Sequence, residues 1–254
     1  MTLERYLDKN EFLEFLDRVK NPQNFLQDCK RYHEFEKWDI VYVIANKLLQ
    51  EDKRFHKLAA ADIVLMVWNM PWYHKASPEM KKSLDERVLK LIDEMEREIR
   101  GKKFPLDRDF TKEELEFISN VFERFKTELG PVGASKVLHI LNPEFFPAWD
   151  GYISYNYHKY YPNHTHDGKC LTTQCYVRFC VDCQEILKEL LKRKNLNELW
   201  EEHKKDLGSI LQEFPEFKES PLKMLDECSY VNITKKIKAR EERFVQTSLL
   251  KWKE

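Results

Sequence analysis

The sequence predicts an all-α fold, and three observations carry that prediction. Glycine and proline are scarce, 6 and 10 in 254 residues, so few positions punctuate the chain. Leucine, glutamate and lysine fill long mixed-charge stretches that suit helices better than strands. Apolar residues recur at helical spacing, and no segment of useful length alternates with the period of two that a strand needs.

The elements follow in order. Residues 3–20 suit a short amphipathic helix, broken at "KNPQN". A second helix runs through "WDIVYVIANKLLQED" and a third through "HKLAAADIVLMVWNM", ending before Pro71. "SPEMKKSLDERVLKLIDEMEREIRGKK" offers Ser77 as N-cap, Pro78 at the first helical position and Gly101 past the end, an asymmetry that brackets a helix. In "DFTKEELEFISNVFERFKTEL", Thr111 with Glu114 three residues on forms a capping box, and the helix stops at Gly130-Pro131. A tyrosine-rich stretch, 151–169, reads as the longest irregular loop. Its Tyr152, Tyr155, Tyr157, Tyr160 and Tyr161 interleave with His158, Lys159, His164, His166 and Lys169, an arrangement that either stacks bases or packs the loop onto the body. A cysteine-bearing helix and further helices complete the chain.

A chain of this length buries a substantial core. With 42% hydrophobic and 34% charged residues it is globular, not disordered. No linker divides it, so one helical domain over 1–254 is expected. The alternative is two helical lobes of about 21–150 and 151–254, the second joined by the N-terminal helix. No run of eighteen apolar residues exists, which excludes a helical membrane span. The start is acidic and amphipathic, unlike a signal peptide, so an intracellular, cytoplasmic protein is expected.

The net charge of −1 argues against a surface coated with phosphate-binding side chains but permits a local basic face. The strongest local bias is "TKKIKAREERFVQTSLLKWKE", with seven basic and three acidic residues. It reads as a solvated helix face or as part of a binding surface. Six cysteines stand at 29, 170, 175, 180, 183 and 228. Cys180 and Cys183 form a C-x2-C pair, yet Tyr176, Phe179, Cys180, Cys183, Ile186, Leu187 and Leu190 share one helix face, which makes these thiols core. A metal site there would need Cys170, Cys175, His164 or His166 to complete its shell. No metal and no cofactor are expected.

The most informative stretch is "LGPVGASKVLHILNPEFFPAWDGYI", Leu129 to Ile153, which holds three of the six glycines. It is no phosphate-binding P-loop, because Lys136 follows serine and a helix, not a strand, precedes it. Glycines between two helices fit a different device, a tight hairpin over 130–133, with Gly133 in a geometry that a larger residue tolerates poorly, which brings backbone N–H groups close to a DNA phosphate at the start of the second helix.

Here the sequence resembles the helix–hairpin–helix DNA glycosylase superfamily. Leu129, Val132 and Gly133 match its Leu-Pro-Gly-Val-Gly hairpin in place, while Gly130 and Pro131 stand in reversed order. Asp150 in "FPAWDGYI" stands near the position of the essential aspartate, after a connection a few residues shorter than usual. The resemblance covers about 25 residues by motif and implies DNA as partner. Gly130, Val132, Gly133, Ser135 and Lys136 would then meet the phosphates, and Asp150 and Lys136 would be catalytic. Bifunctional members carry a Schiff-base lysine two residues after the last hairpin glycine. That place is Ser135 here, and Lys136 lies one residue on, about 100° around the helix. The family's four-cysteine iron–sulfur pattern is absent.

Excision of a base passes through a cation-like sugar, which a carboxylate such as Asp150 stabilises. A nucleophilic lysine needs an apolar wall, which Val137, Leu138, Ile140 and Leu141 could supply. His139 shares the Lys136 face at i+3. Trp68, Asn69, Trp72 and Tyr73, with His139, are the residues proposed for a base pocket. Each has a plainer alternative: Asp150 a helix cap, Lys136 a solvated charge, His139 a core histidine, the aromatics core or interface. The resulting expectation is a DNA-binding helical protein, in its sharpest form a base-excision DNA glycosylase hydrolysing an N-glycosidic bond. The other readings are a non-catalytic nucleic-acid-binding module and a helical protein-interaction domain.

Overall fold

The computed structural model describes residues 6–35, 39–51, 53–68, 77–161 and 172–251, and among them every regular element is helical. The first is α1, Lys9–Val19, opened by a reciprocal capping box between Asp8 and Glu11. It buries Phe12, Phe15, Leu16 and Val19. Helix α2, Pro22–Phe35, is an element that the sequence order above does not include. Its buried residues are Phe25, Asp28, Cys29 and Tyr32, correct helical spacing with a carboxylate in the middle. Asp28 is tolerated there because Arg18 Nε and Nη2 donate to it at 2.7 and 2.9 Å and Asn232 donates at 2.9 Å. A buried charge needs such partners.

Helices α3, Asp39–Gln50, and α4, Arg54–Trp68, pack on each other around a small satellite core of Tyr42, Ala45, Leu49, Ala60, Val64 and Ile140. Helix α5, Pro78–Ile99, ends just before Gly101 at φ +80, as its sequence signals require. Helix α6, Lys112–Leu141, starts with the Thr111–Glu114 capping box and is broken at one residue, Gly130 (φ 69, ψ 170).

That break corrects the expected turn over 130–133. Gly130 alone leaves helical geometry; Pro131 already begins the second half of α6, and Val132 and Gly133 are helical. The position that requires glycine is therefore Gly130 and not Gly133, which is buried and has no positive φ. The order Gly-Pro explains the difference. Proline disfavours αR in the residue before it and fits a first helical position, where an N–H is not needed. Only glycine accepts the intervening left-handed φ without strain.

A second correction concerns the tyrosine-rich loop. Gly151–Tyr160 is a helix, α7, capped by Asp150. Residues 162–171, with His164, His166, Lys169 and Cys170, lie outside the described residues. Next come α8 (Thr173–Leu191), α9 (Leu196–His203), a 3-10 turn (Lys204–Asp206) and α10 (Gly208–Glu213). The chain continues through α11 (Pro221–Ser229), a π turn (Tyr230–Thr234) and α12 (Lys235–Lys251). Cys175, Cys180 and Cys183 are buried in the core.

Helix α6 lies at the centre, touching α3, α4, α5 and α8. Helix α2 packs on α1, α9, α11 and the π turn. The main core cluster draws on residues from Leu7 to Ile237. At its centre Phe122 stacks on Tyr176 with ring centroids 3.9 Å apart, and Trp149 meets both rings edge-on. Burying each large apolar side chain of this kind contributes about 1.5–3 kcal/mol. No described helix is long and apolar enough to cross a membrane.

Candidate functional site

The segment from Gly130 to Asp150 folds back on itself as a corner. The Trp149 indole Nε1–H donates to the Pro131 carbonyl at 3.2 Å. The Ser135 hydroxyl lies 2.9 Å from the Val132 carbonyl and 3.1 Å from the Trp149 carbonyl, both acceptors, and itself accepts from Trp149 N–H at 3.4 Å. Tyr176 OH donates to the Pro147 carbonyl at 2.8 Å and pins the return strand from the α8 side. The two prolines and the buried Phe145, Phe146 and Trp149 thus hold Asp150 beside the start of the second half of α6. Gly130, Pro131 and Val132 are half-buried, while Gly133 and Ser135 are buried. The Ser135 hydroxyl serves the corner and is not presented to an outside phosphate.

Asp150 is the N-cap of α7. One carboxylate oxygen accepts from Ile153 N–H at 2.8 Å, and the other from the Thr234 hydroxyl at 2.6 Å. Thr234 ends the π turn, a distortion that often accompanies functional sites. The residues after it begin the most basic run of the chain, with Lys236, Lys238 and Arg243 exposed. The fold therefore brings together Asp150 and the basic C-terminal helix, two features 84 residues apart in the chain.

Lys136 points to α11, where its ammonium lies 3.5 Å from Asp226; the two side chains are 12% and 13% exposed. Lys126 is held by Glu123 at 2.7 Å and by Thr173 at 3.0 Å. His139 is buried and stacks on Tyr42 at 5.5 Å. Its Nδ1–H donates to the Phe146 carbonyl at 2.7 Å, which leaves Nε2 as a buried acceptor without a hydrogen bond. Burial pulls its pKa down to about 4, reinforced by Lys136 and Lys223 and opposed by Asp226 and the Phe146 carbonyl. It is a neutral core histidine, and it is not in the wall of the cavity described below. The side chain of Trp68, and all of Asn69, Trp72 and Tyr73, lie outside the described residues.

The chain matches no known protein family, curated protein or solved structure. Its chemistry is read from its own side chains.

A second polar centre gathers around α11, and its four members share no local spacing in the sequence. His33 on α2, His203 at the end of α9, Glu219 in the loop before α11 and Glu227 on α11 converge, their donor atoms all within 4.8 Å of one another. His203 Nε2 is 2.6 Å from Glu219, and Glu227 Oε2 is 3.3 Å from His33 Nε2 and 3.9 Å from His203 Nε2. Lys223, one turn before Glu227, donates to its other oxygen at 2.5 Å and lies over the rings of Tyr32 and Tyr42. Tyr42 thus joins this centre to His139. Burial and the neighbouring Glu227 charge raise the Glu219 carboxyl. For Glu227, burial is outweighed by Lys223 and His33, which hold it ionised. For His203, burial is outweighed by Glu219, which raises the imidazole. The one sequence signal was the placement of Lys223 and Glu227, at i and i+4, on an otherwise apolar face with Met224 and Cys228.

A cavity of about 340 Å³ reaches this centre, its wall including Phe25, Leu190, Trp200, Glu219, Ser220 and Met224. Asp150, Lys136 and His139 are not in that wall.

Proposed function

We propose that this protein binds nucleic acid through the corner at Gly130 and the basic helix α12, as a helical protein of the helix–hairpin–helix glycosylase kind, with Asp150 facing the sugar. The observation that carries the reading is the hydrogen bond from Thr234 to Asp150 at 2.6 Å. It fixes the carboxylate expected to stabilise a sugar cation against the start of α12, whose exposed Lys236, Lys238 and Arg243 supply the positive surface that a phosphate backbone requires. Orienting both oxygens in advance is what electrostatic stabilisation demands of a catalytic carboxylate. Lys126 and Lys136 already sit in ion pairs, so α12, with the N–H groups opening the second half of α6, carries the phosphate contacts in this reading. The tight binding of Asp150 within the fold favours, as second reading, a binding module without catalysis.

The test is fluorescence anisotropy with duplex DNA at low and raised salt, followed by a panel of oligonucleotides bearing different damaged bases, with and without borohydride. Affinity should fall with salt, and Lys236→Glu with Lys238→Glu should flatten that dependence by about one unit of slope per lost phosphate contact. Asp150→Asn keeps a capping oxygen and should abolish excision with binding intact. Binding without excision of any base selects the non-catalytic module. No binding to any duplex at low ionic strength overturns the proposal and leaves the helical interaction domain.

A further inference from the structure

The chain holds a second chemically distinct centre that the nucleic-acid reading does not use. We propose that His33, His203, Glu219 and Glu227 form a site for one divalent transition metal ion, zinc foremost, that ties α2 to α9 and α11.

The donor set is two imidazole nitrogens and two carboxylate oxygens, which suits zinc and its first-row neighbours rather than calcium or magnesium. The spacing fits. Zinc bound tetrahedrally at its usual bond lengths sets its ligand atoms about 3.3 Å apart. The distances from Glu227 Oε2 to the two imidazoles, 3.3 and 3.9 Å, stand close to that value. His203 and Glu219, now 2.6 Å apart in a hydrogen bond, must separate by less than an ångström.

Three further observations point to a ligand. Glu227 Oε2 is fully buried and lacks a hydrogen bond of normal geometry, lying 3.3 and 3.9 Å from the two imidazole nitrogens, where a protonated imidazole or a metal can meet it. An acceptor in that position is costly unless a cation meets it. Charge gives the second argument. Two buried carboxylates, Glu219 and Glu227, share the cluster with two imidazoles, and Lys223 donates to Oε1 of Glu227, so Oε2 stands on the imidazole side of that carboxylate. The third is access, because the 340 Å³ cavity has Glu219 in its wall.

All four ligands come from the protein, which makes this a closed, structural site and not a catalytic one with an open position. The ligands stand at 33, 203, 219 and 227, so the ion would clasp an early helix to the C-terminal third of the chain.

The experiment uses the full chain. Metal content is measured after purification without chelator. Chelator-stripped protein is then titrated with zinc and with cobalt, whose visible absorption reports tetrahedral geometry. One equivalent of bound metal, strong cobalt bands that zinc quenches, and a lower melting temperature after stripping are expected. His33→Gln and His203→Gln should each weaken zinc by about 100-fold or more, beyond what loss of an outer-shell partner costs. If either variant fails to fold, the titrations of the unaltered chain decide alone. A chain that takes up no zinc or cobalt in excess, with a melting temperature indifferent to both, overturns the proposal and leaves a buried ion-pair network. Full-strength binding in both folded variants places the metal elsewhere and overturns it equally. Neither outcome touches DNA binding, so the two proposals fail separately.

Discussion

Acidification should destabilise this protein through His139, and the size of the effect follows from its surroundings. The imidazole is buried, donates from Nδ1 to the Phe146 carbonyl and has no group to receive a proton at Nε2. Its pKa drops from 6.5 to about 4 on folding, burial first, with Lys136 and Lys223 adding and Asp226 opposing. A lowered histidine pKa means that the unfolded chain binds the proton first. The contribution of neutral His139 is therefore complete above pH 6.5 and shrinks as pH falls towards about 4, where the folded state protonates too and the loss stops. At about 1.4 kcal/mol per pKa unit, the total is about 3 kcal/mol, a large part of the 5–15 kcal/mol by which domains are stable. The reference is His139→Asn, whose amide can occupy the Nδ1 position and keep the bond to Phe146 without titrating. Its lost ring costs stability equally at every pH, so it cancels from the slope. Urea unfolding of both proteins, followed by tryptophan fluorescence from about pH 7 to about pH 4, gives the difference in unfolding free energy. The advantage of the histidine protein should shrink by about 3 kcal/mol across that range. Parallel curves, or an NMR titration placing His139 at or above 6.5, would refute the reasoning.

Two further outcomes test the fold. Gly130→Ala forces a side chain into a backbone region that is glycine's alone, at φ 69 and ψ 170, and should cost about 1–3 kcal/mol by urea unfolding even though no neighbouring atom lies within 4 Å of the new Cβ. Asn142→Leu removes the amide that donates to the carbonyls of Ile99 and Lys102 at 2.7 and 2.9 Å, uncapping α5, and should cost about 2 kcal/mol or more.

What the sequence disclosed depended on whether a signal was local. Thr111 with Glu114, and Gly101 after α5, are devices completed within four residues, and the structure has both. Helix α2 carries a legible stripe in Phe25, Cys29 and Tyr32, while Asp28 on the same face has one partner ten residues away, Arg18, and another 204 residues away, Asn232. The turn at 130–133 was read too wide, since Gly-Pro compresses into one residue what Pro-Gly spreads over several. The reading of Asp150 as a helix cap holds, while its bond to Thr234, 84 residues on, has no local signal. The His–Glu centre leaves one local trace, Lys223 and Glu227 a turn apart on an apolar face. Its four residues lie on separate elements, and only folding makes them neighbours.

The bond between Asp28 and Asn232 also has a consequence for how the chain is made. At about 5–20 residues per second, synthesis leaves roughly 10–40 s between the appearance of these two residues. Throughout that interval Asp28 lacks its partner on the π turn, and Phe25, Cys29 and Tyr32 lack the surface of α11. The early helices wait on the ribosome with a sticky, charged face uncovered. A nascent chain stalled short of residue 232 is thus a natural client for a chaperone, and release from it should coincide with emergence of the π turn.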